Sequence, residues 1–263
     1  MPKKRLIFTL LYEHGGFVQS RNFRLQKVGD LNWLLKNYNF QRTSQSIDEL
    51  IILDISRQNK IFDNFLKSVS EIAKHCFVPI CVGGGVDNIL KVKKLFDVGV
   101  DKVLFNTILY KNPLFVESVA MKYGVQSVVA SVDIRRHCVD EFKSFIESGS
   151  RELDLVPHKW LNHVHKMPVG EILINSIDRD GTGMGLDFDL LSLLPEDLNK
   201  PVILSGGIGN SHHISDALLN FRIDAVATAN LLNFIGSGLA AAREKLYLQN
   251  CYLPRWQYLS EIA

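Results

Sequence analysis

Long apolar runs are missing from this chain. No uncharged stretch approaches the eighteen or so residues that a membrane-spanning helix requires, and the opening "MPKKR" leads straight into a short strand-like segment rather than the core of a signal peptide. Cysteine is scarce: Cys76, Cys81, Cys138 and Cys251 show none of the paired spacings that zinc sites use, so reduced, structural thiols in a cytoplasmic protein are expected. Neither sign of charge dominates, with 30 Lys and Arg against 28 Asp and Glu. That balance disfavours nucleic acid or an anionic membrane as the main partner. Phe, Tyr and Trp are dispersed, with neither a stacking platform nor a basic stripe for nucleic acid. The chain has no G-x-x-x-x-G-K-[ST] loop and no G-x-G-x-x-G spacing, so a nucleotide-binding fold is not supported. No linker of the kind that separates domains is present, so residues 1–263 are expected to form one domain.

What is present is a regular alternation. Eight short apolar runs, "RLIFTLL" (5–11), "ELIILDI" (49–55), "PICVGGG" (79–85), "KVLFNT" (102–107), "SVVASVD" (127–133), "EILINSI" (171–177), "PVILSGG" (201–207) and "DAVATAN" (224–230), read as strands covered on both faces. Amphipathic helical segments separate them. Phe62, Phe65, Leu66, Val69, Ile72 and Ala73 recur at helical spacing. Asp87 is expected to cap a helix that Gly99 stops; Asn112 and Pro113 open one that Gly124 stops. "EFKSFIESGSRELDL" (141–155) reads as an inserted hairpin turning at "ESGS". Strands alternating with helices point to an α/β fold, a closed (β/α)8 TIM barrel, with an open doubly wound sheet as the competing architecture.

An internal repeat decides between them. "PVILSGGIGN" (201–210) nearly copies "PICVGGGVDN" (79–88), and sliding the chain by the same interval pairs Glu49-Leu50-Ile51-Ile52 with Glu171-Ile172-Leu173-Ile174 and Lys102-Val103 with Asp224-Ala225. Two homologous half-barrels, about 1–122 and 123–245, followed by an extension over 246–263, explain this and imply paired binding sites. In barrels the chemistry sits where strands end. Glycines there let backbone N–H groups approach an anion, and a following helix start favours negative charge. Gly84, Gly85, Asn106 and Thr107 are therefore expected to form one phosphate site, with Gly181, Gly206, Gly207, Ala229 and Asn230 forming the other. The alternative for each glycine loop is a tight turn with no ligand.

The stretch "INSIDRDGTGMGLD" (174–187), taken with "LIILDIS", "VGGGV", "DKVLFNT", "SVVASVDIRR" and "SGGIG", carries a family resemblance. From about Arg5 to Phe234 the chain resembles the cyclase subunit of imidazole glycerol phosphate synthase, the HisF family of histidine biosynthesis. The resemblance implies a lyase without metal or cofactor. A glutaminase subunit, joined to it as a heterodimer, would send ammonia through the barrel. The substrate would be a ribulosyl formimino carboxamide ribotide with a phosphate at each end, converted to imidazole glycerol phosphate. Residues matching the substrate contacts include Asp54, Asn175, Asp180 and Ser205. Asp133 matches one of two catalytic carboxylates and is expected to move protons. Arg5, Glu49, Lys102 and Glu171 match a charged gate at the strand starts, and Asp101 a glutaminase contact.

Two matches are broken. Leu11 stands where the family places its second catalytic Asp, and Gln19 where it places a Lys; Asn175 replaces a Thr. A leucine can neither give nor take a proton. The pattern resembles second cyclase-like copies that relay ammonia to a sugar amidotransferase in surface-polysaccharide synthesis, which is the alternative reading. A phosphosugar isomerase on the same duplicated barrel is a further one. Glu49 and Asp54 have opposite parity along their strand, which the sequence leaves unexplained. The three histidines of "HKWLNHVHK" (158–166) read as a solvated helix face rather than a metal site.

Overall fold

The computed structural model describes residues 3–38, 40–138, 141–229 and 238–254. Its strands, in chain order, are β1 (Arg5–Glu13), β2 (Gly16–Arg21), β3 (Arg24–Asp30), β4 (Glu49–Asp54), β5 (Ile80–Gly83), β6 (Lys102–Phe105), β7 (Val128–Cys138), β8 (Glu141–Ile146), β9 (Arg151–Glu152), β10 (Glu171–Ser176), β11 (Val202–Ser205) and β12 (Ala225–Thr228). Strands β1, β4, β5, β6, β7, β10, β11 and β12 pair in parallel in that order, and β12 returns to β1 through Arg5 opposite Ala225. The sheet is closed, so the open doubly wound alternative is excluded, and the fold is a (β/α)8 barrel.

The runs form strands because both of their faces are buried. Odd-numbered positions of β1 and β4 contribute Ile7 and Ile51 to a lumen completed by Cys81, Leu104, Val129, Leu173, Ile203, Ala225 and Ala227. The alternate positions, among them Leu6, Phe8, Leu50 and Ile52, pack outward under the helices. Truncating one of the large side chains in either layer to Ala costs roughly 2–5 kcal/mol. Helices Phe62–Ala73, Ile89–Asp97, Pro113–Tyr123, Pro157–Lys166 and Ser211–Leu219 cover the outside. Between β10 and β11 a 3-10 helix, Phe188–Leu193, takes the place of an α-helix.

Local signals decide the boundaries. Asn112 caps its helix by accepting from the Phe115 N–H, with Pro113 at the first turn and Gly124 at φ +92° closing it. The expected cap at Asp87 is corrected to Asn88, whose side chain accepts from the Leu90 and Lys91 N–H groups, while Asp87 pairs with Lys91 at 2.9 Å. Asn210 does the same for His212 and His213. The inserted hairpin is β8–β9 with its turn at 147–150. A second ribbon, β2–β3, escaped the sequence reading. Its turn residues Asn22 and Phe23 both have positive φ, the signature of a tight hairpin turn, but no glycine marks the spot.

The repeat is present with one adjustment. Asp101 accepts from the Ile80 N–H and Asp224 accepts from the Val202 N–H, both through Oδ2, so Asp224 is the counterpart of Asp101. The expected pairing of Lys102 with Asp224 is one residue out of register, because the connection into β12 carries one residue more than the connection into β6. Further along, Arg243 and Asp48, both buried, form a bidentate ion pair at 2.9 and 2.6 Å. Asp48 also accepts from the Leu6 N–H, which ties helix Gly238–Leu248 to the start of β1. The extension expected from residue 246 is described as far as Pro254.

Candidate active site at the barrel mouth

Strand parity sorts the chemistry. Arg5, Ile7, Thr9 and Leu11 point inward from β1; Glu49, Ile51 and Leu53 do so from β4. Asp54 therefore has the outward parity, which accounts for the mismatch with Glu49. Its Oδ1 accepts from the Ser56 N–H at 3.0 Å, so this carboxylate holds its own loop even though it also borders the mouth.

At the strand starts the four gate residues meet. Arg5 donates from Nη1 to Glu49 Oε2 at 2.9 Å and, through both Nη atoms, to Glu171 at 3.1 and 3.0 Å. Lys102 Nζ bridges the same two carboxylates at 2.9 and 3.0 Å. Burial works against the charge on Glu171, but Arg5 and Lys102 hold it below the usual carboxylate range. For Glu49, only 2% exposed, burial prevails and pushes its pKa up. Its Oε1 has no hydrogen-bond donor among the described residues. Two positive and two negative side chains thus close the lumen floor.

At the opposite end Asp133, 9% exposed, points inward from β7. Asn175 Nδ2 donates to its Oδ1 and Asn106 Nδ2 to its Oδ2, each at 3.1 Å. Burial drives the Asp133 pKa up to about 6; the Asn175 bond opposes this, the Asp180 charge adds to it, and the Asn106 bond opposes it again. A carboxylate near 6, fixed by two neutral amides, is poised to take a proton and return it. Leu11, also 9% exposed, faces the same space from β1.

Two adjoining cavities occupy the mouth. One, of about 540 Å³, borders Gly84, Gly85, Asn106, Thr107 and Asp133. The other, of about 920 Å³, borders Gly181, Gly206, Gly207 and Ala229. Ser20, Leu25, Asp180, Ser205 and Ala229 border both. The two expected phosphate sets therefore line two separate cavities in one mouth; Asn230 lies outside the described residues. The glycines are needed sterically. Gly84 has φ +96° and a Cβ there would sit 2.0 Å from the Asp54 carbonyl oxygen; at Gly206, φ +97°, it would sit 2.6 Å from that of Ser176.

The β2–β3 ribbon crosses between the cavities. Asp180 Oδ2 accepts from the Ser20 hydroxyl at 2.5 Å and the Phe23 N–H at 3.0 Å, and the Asn22 N–H donates to the Asp180 carbonyl at 2.8 Å. Asp180 is thereby engaged in pinning the ribbon, and burial raises its pKa against these two bonds. Thr107 Oγ1 accepts from the Glu147 N–H at 2.9 Å, bringing the second hairpin to the rim. Gln19 borders the larger cavity. Asp101 is exposed at the gate end, with its carboxylate on the Ile80 N–H. Sequence reasoning missed Arg21 and Arg24 on the ribbon, Arg57 and Lys60 after β4, and Lys111 after β6, all of which border the cavities. Arg21 and Arg24 flank the ribbon's turn, Arg57 and Lys60 lie in a loop and Lys111 ends the short helix Thr107–Lys111, all outside the motifs and the repeat.

Among the described residues no helix is long and apolar enough to cross a membrane. Comparison with known proteins agrees with the geometry. A model of the family described as "Histidine biosynthesis protein" matches residues 7–235. The chain is 45% identical to a Parasynechococcus marenigrum protein described as "Putative imidazole glycerol phosphate synthase subunit hisF2", covering 100% of this chain and 98% of that one. It is 34% identical to a Pseudomonas aeruginosa protein of the same description, covering 90% and 93%. It is also 34% identical to "Imidazole glycerol phosphate synthase subunit HisF" of Trichormus variabilis, covering 97% and 98%.

Proposed function

The chain belongs to the HisF family, the cyclase subunits of imidazole glycerol phosphate synthase, and from that premise we propose that its barrel joins ammonia to a bis-phosphorylated ribulosyl formimino carboxamide ribotide, giving imidazole glycerol phosphate and releasing an aminoimidazole carboxamide ribotide. The observation that carries this reading is Asp133, set between two amide donors where the two glycine-lined cavities adjoin. One phosphate of the substrate would sit against Gly84, Gly85 and Thr107 and the other against Gly206 and Gly207. The reacting centre would then lie over Asp133. Ammonia released by a glutaminase subunit would enter past Arg5, Glu49, Lys102 and Glu171 and travel along the apolar lumen. Asp133 would then remove a proton as the nitrogen adds and return it as the product is expelled. The partner in this reading is a glutaminase held at the gate end, near Asp101.

Leu11 supports a second reading. With leucine at position 11 of β1, where the family places its second catalytic Asp, the barrel has half of the proton-transfer pair the family uses, while the charged gate is complete. A barrel of this kind relays ammonia to another enzyme, such as a sugar amidotransferase of surface-polysaccharide synthesis. One experiment separates the two. The purified protein is given the ribotide substrate and ammonium salt at alkaline pH, and substrate loss is followed. Turnover abolished by Asp133→Asn supports the cyclase. No turnover in either the native protein or Leu11→Asp, together with tight binding to a glutaminase, supports the relay.

A further inference from the structure

The loop after β4 brings a cation into the smaller cavity that neither the repeat nor the family pattern accounts for. Asn59 adopts φ +50° and turns the chain back, so that the following side chain, Lys60, folds over the end of its own strand. Lys60 Nζ donates to the Asp54 carbonyl oxygen at 2.5 Å and stands 3.8 Å from Asp54 Oδ1, which is already occupied by the Ser56 N–H. Its stem lies against the glycine turn. A Cβ on Gly85 would come 2.8 Å from Lys60 Cδ, so the bare backbone is what admits the side chain.

Lys111, which borders this cavity, and Lys91, whose Nζ donates to the Gly85 carbonyl beside it, are committed elsewhere. Lys91 lies 2.9 Å from the Asp87 carboxylate and Lys111 lies 2.5 Å from that of Glu147. Among the described residues Lys60 has no carboxylate at such contact distance; it is 30% exposed and borders the same space as Gly84, Gly85 and Asn106. Burial lowers its pKa, Asp54 opposes this and Lys91 adds to it, so the ammonium is left under-compensated where it stands. An ammonium with protons to spare beside an exposed glycine backbone is a phosphoryl-oxygen site.

We propose that Lys60 is the cation that binds the phosphoryl group of the ligand in the first-half cavity, with the Gly84–Gly85 backbone supplying the neutral donors. The assignment rests on the two-phosphate reading above and adds to it a residue of the loop after β4.

The test is a titration of inorganic phosphate into isotope-labelled full-length protein, following the amide resonances of Gly84 and Gly85 for one cavity and of Gly206 and Gly207 for the other. Lys60→Met should raise the phosphate dissociation constant read at Gly84 and Gly85 roughly tenfold to a hundredfold, the usual effect of losing a charge-assisted hydrogen bond. The constant read at Gly206 and Gly207 should not move, which also verifies that the variant is folded. Lys60→Arg should keep most of the affinity. Lys94→Met removes a nearby cation paired with Asp63 and should leave both constants alone. Equal losses in the Lys60 and Lys94 variants, or none in Lys60→Met, would overturn the assignment while leaving the two-phosphate reading intact. A native protein in which neither glycine pair responds to phosphate would remove both.

Discussion

Asn175 and Asp133 are register partners on the adjacent strands β10 and β7, and the amide of the first donates to the carboxylate of the second at 3.1 Å. Asn106 reaches the other carboxylate oxygen from β6, so Asp133 is clasped from both sides by groups that carry no charge. Neutral donors orient a carboxylate without fixing its ionisation as an arginine would. The pKa is then decided mainly by burial, and it rises.

Catalysis should report that value. With Asp133 raised to about 6, the basic form fills as pH climbs through that point, so turnover with ammonium salt, corrected for the fraction of free ammonia, should rise through pH 6 and level off. Asp133→Asn should lower it by roughly 10²–10⁴ and abolish the limb. A pH–rate profile on both proteins checks this; an unchanged limb in the variant would assign it to another group.

Stability should move in the opposite sense. The folded-state pKa of Asp133 lies above the unfolded-state value of 3.8, so between about pH 4 and 6 the native protein holds more proton than the unfolded chain. The contribution is fully present below the unfolded value and is lost as pH rises through the folded one. The loss at neutral pH is on the order of 2–3 kcal/mol. Asp133→Asn should therefore gain stability relative to the native protein at pH 7.5 and lose that advantage near pH 4. Urea midpoints for the two proteins at both pH values measure the difference and cancel the opposing titration of Glu171.

The gate makes a different prediction. Lys102→Met leaves Glu49 with Arg5 alone, at a site only 2% exposed where one carboxylate oxygen already lacks a donor. Breaking a buried charge network from one side costs about 3–5 kcal/mol, and adding Glu49→Gln should restore much of it by removing the stranded charge. Urea unfolding of the single and double variants tests this; additive losses would show that the two residues do not interact. If the gate controls entry, glutamine-dependent turnover with the partner should change in Lys102→Met while turnover with external ammonium does not.

How far the chain could be read without coordinates follows from which features are periodic. The eight strands and the paired glycine turns repeat, either every second residue or across the two halves, and both were legible; Asp133 and the gate residues came from the motif resemblance. The β2–β3 ribbon repeats nothing, and its turn is made by Asn22 and Phe23 rather than by glycine, so it read as loop. Asp54 and Asp180 match substrate contacts in the family resemblance and both border the cavity, but their hydrogen-bond partners within the chain are not legible in the sequence. The structure gives the first to the Ser56 N–H and the second to Ser20 and Phe23, partners that depend on loop paths a sequence does not reveal. Lys60 was invisible for the same reason, since its place depends on one residue, Asn59, in the left-handed region.

Leu11 offers the sharpest test of what the barrel does. It pairs in register with Leu53 on β4 and Val18 on β2, so its neighbours along the sheet are apolar, and it borders the cavity that holds Asp133. Leu11→Asp puts a carboxyl group there with no cation in register to stabilise its charge. Desolvation should raise its pKa and lower stability by roughly 1–3 kcal/mol. A carboxyl held protonated near neutrality is what a general acid opposite Asp133 requires. If the present chain is a cyclase limited by that missing group, Leu11→Asp should raise ammonium-dependent turnover by up to about 10²–10⁴ and add a descending limb to the pH–rate profile. Calorimetry at matched pH would confirm that the variant is folded. A folded, carboxyl-bearing variant with no gain in turnover would mean that the missing proton donor is not what limits this barrel; if the native chain turns nothing over either, the relay of ammonia to a separate acceptor enzyme is the reading that stands.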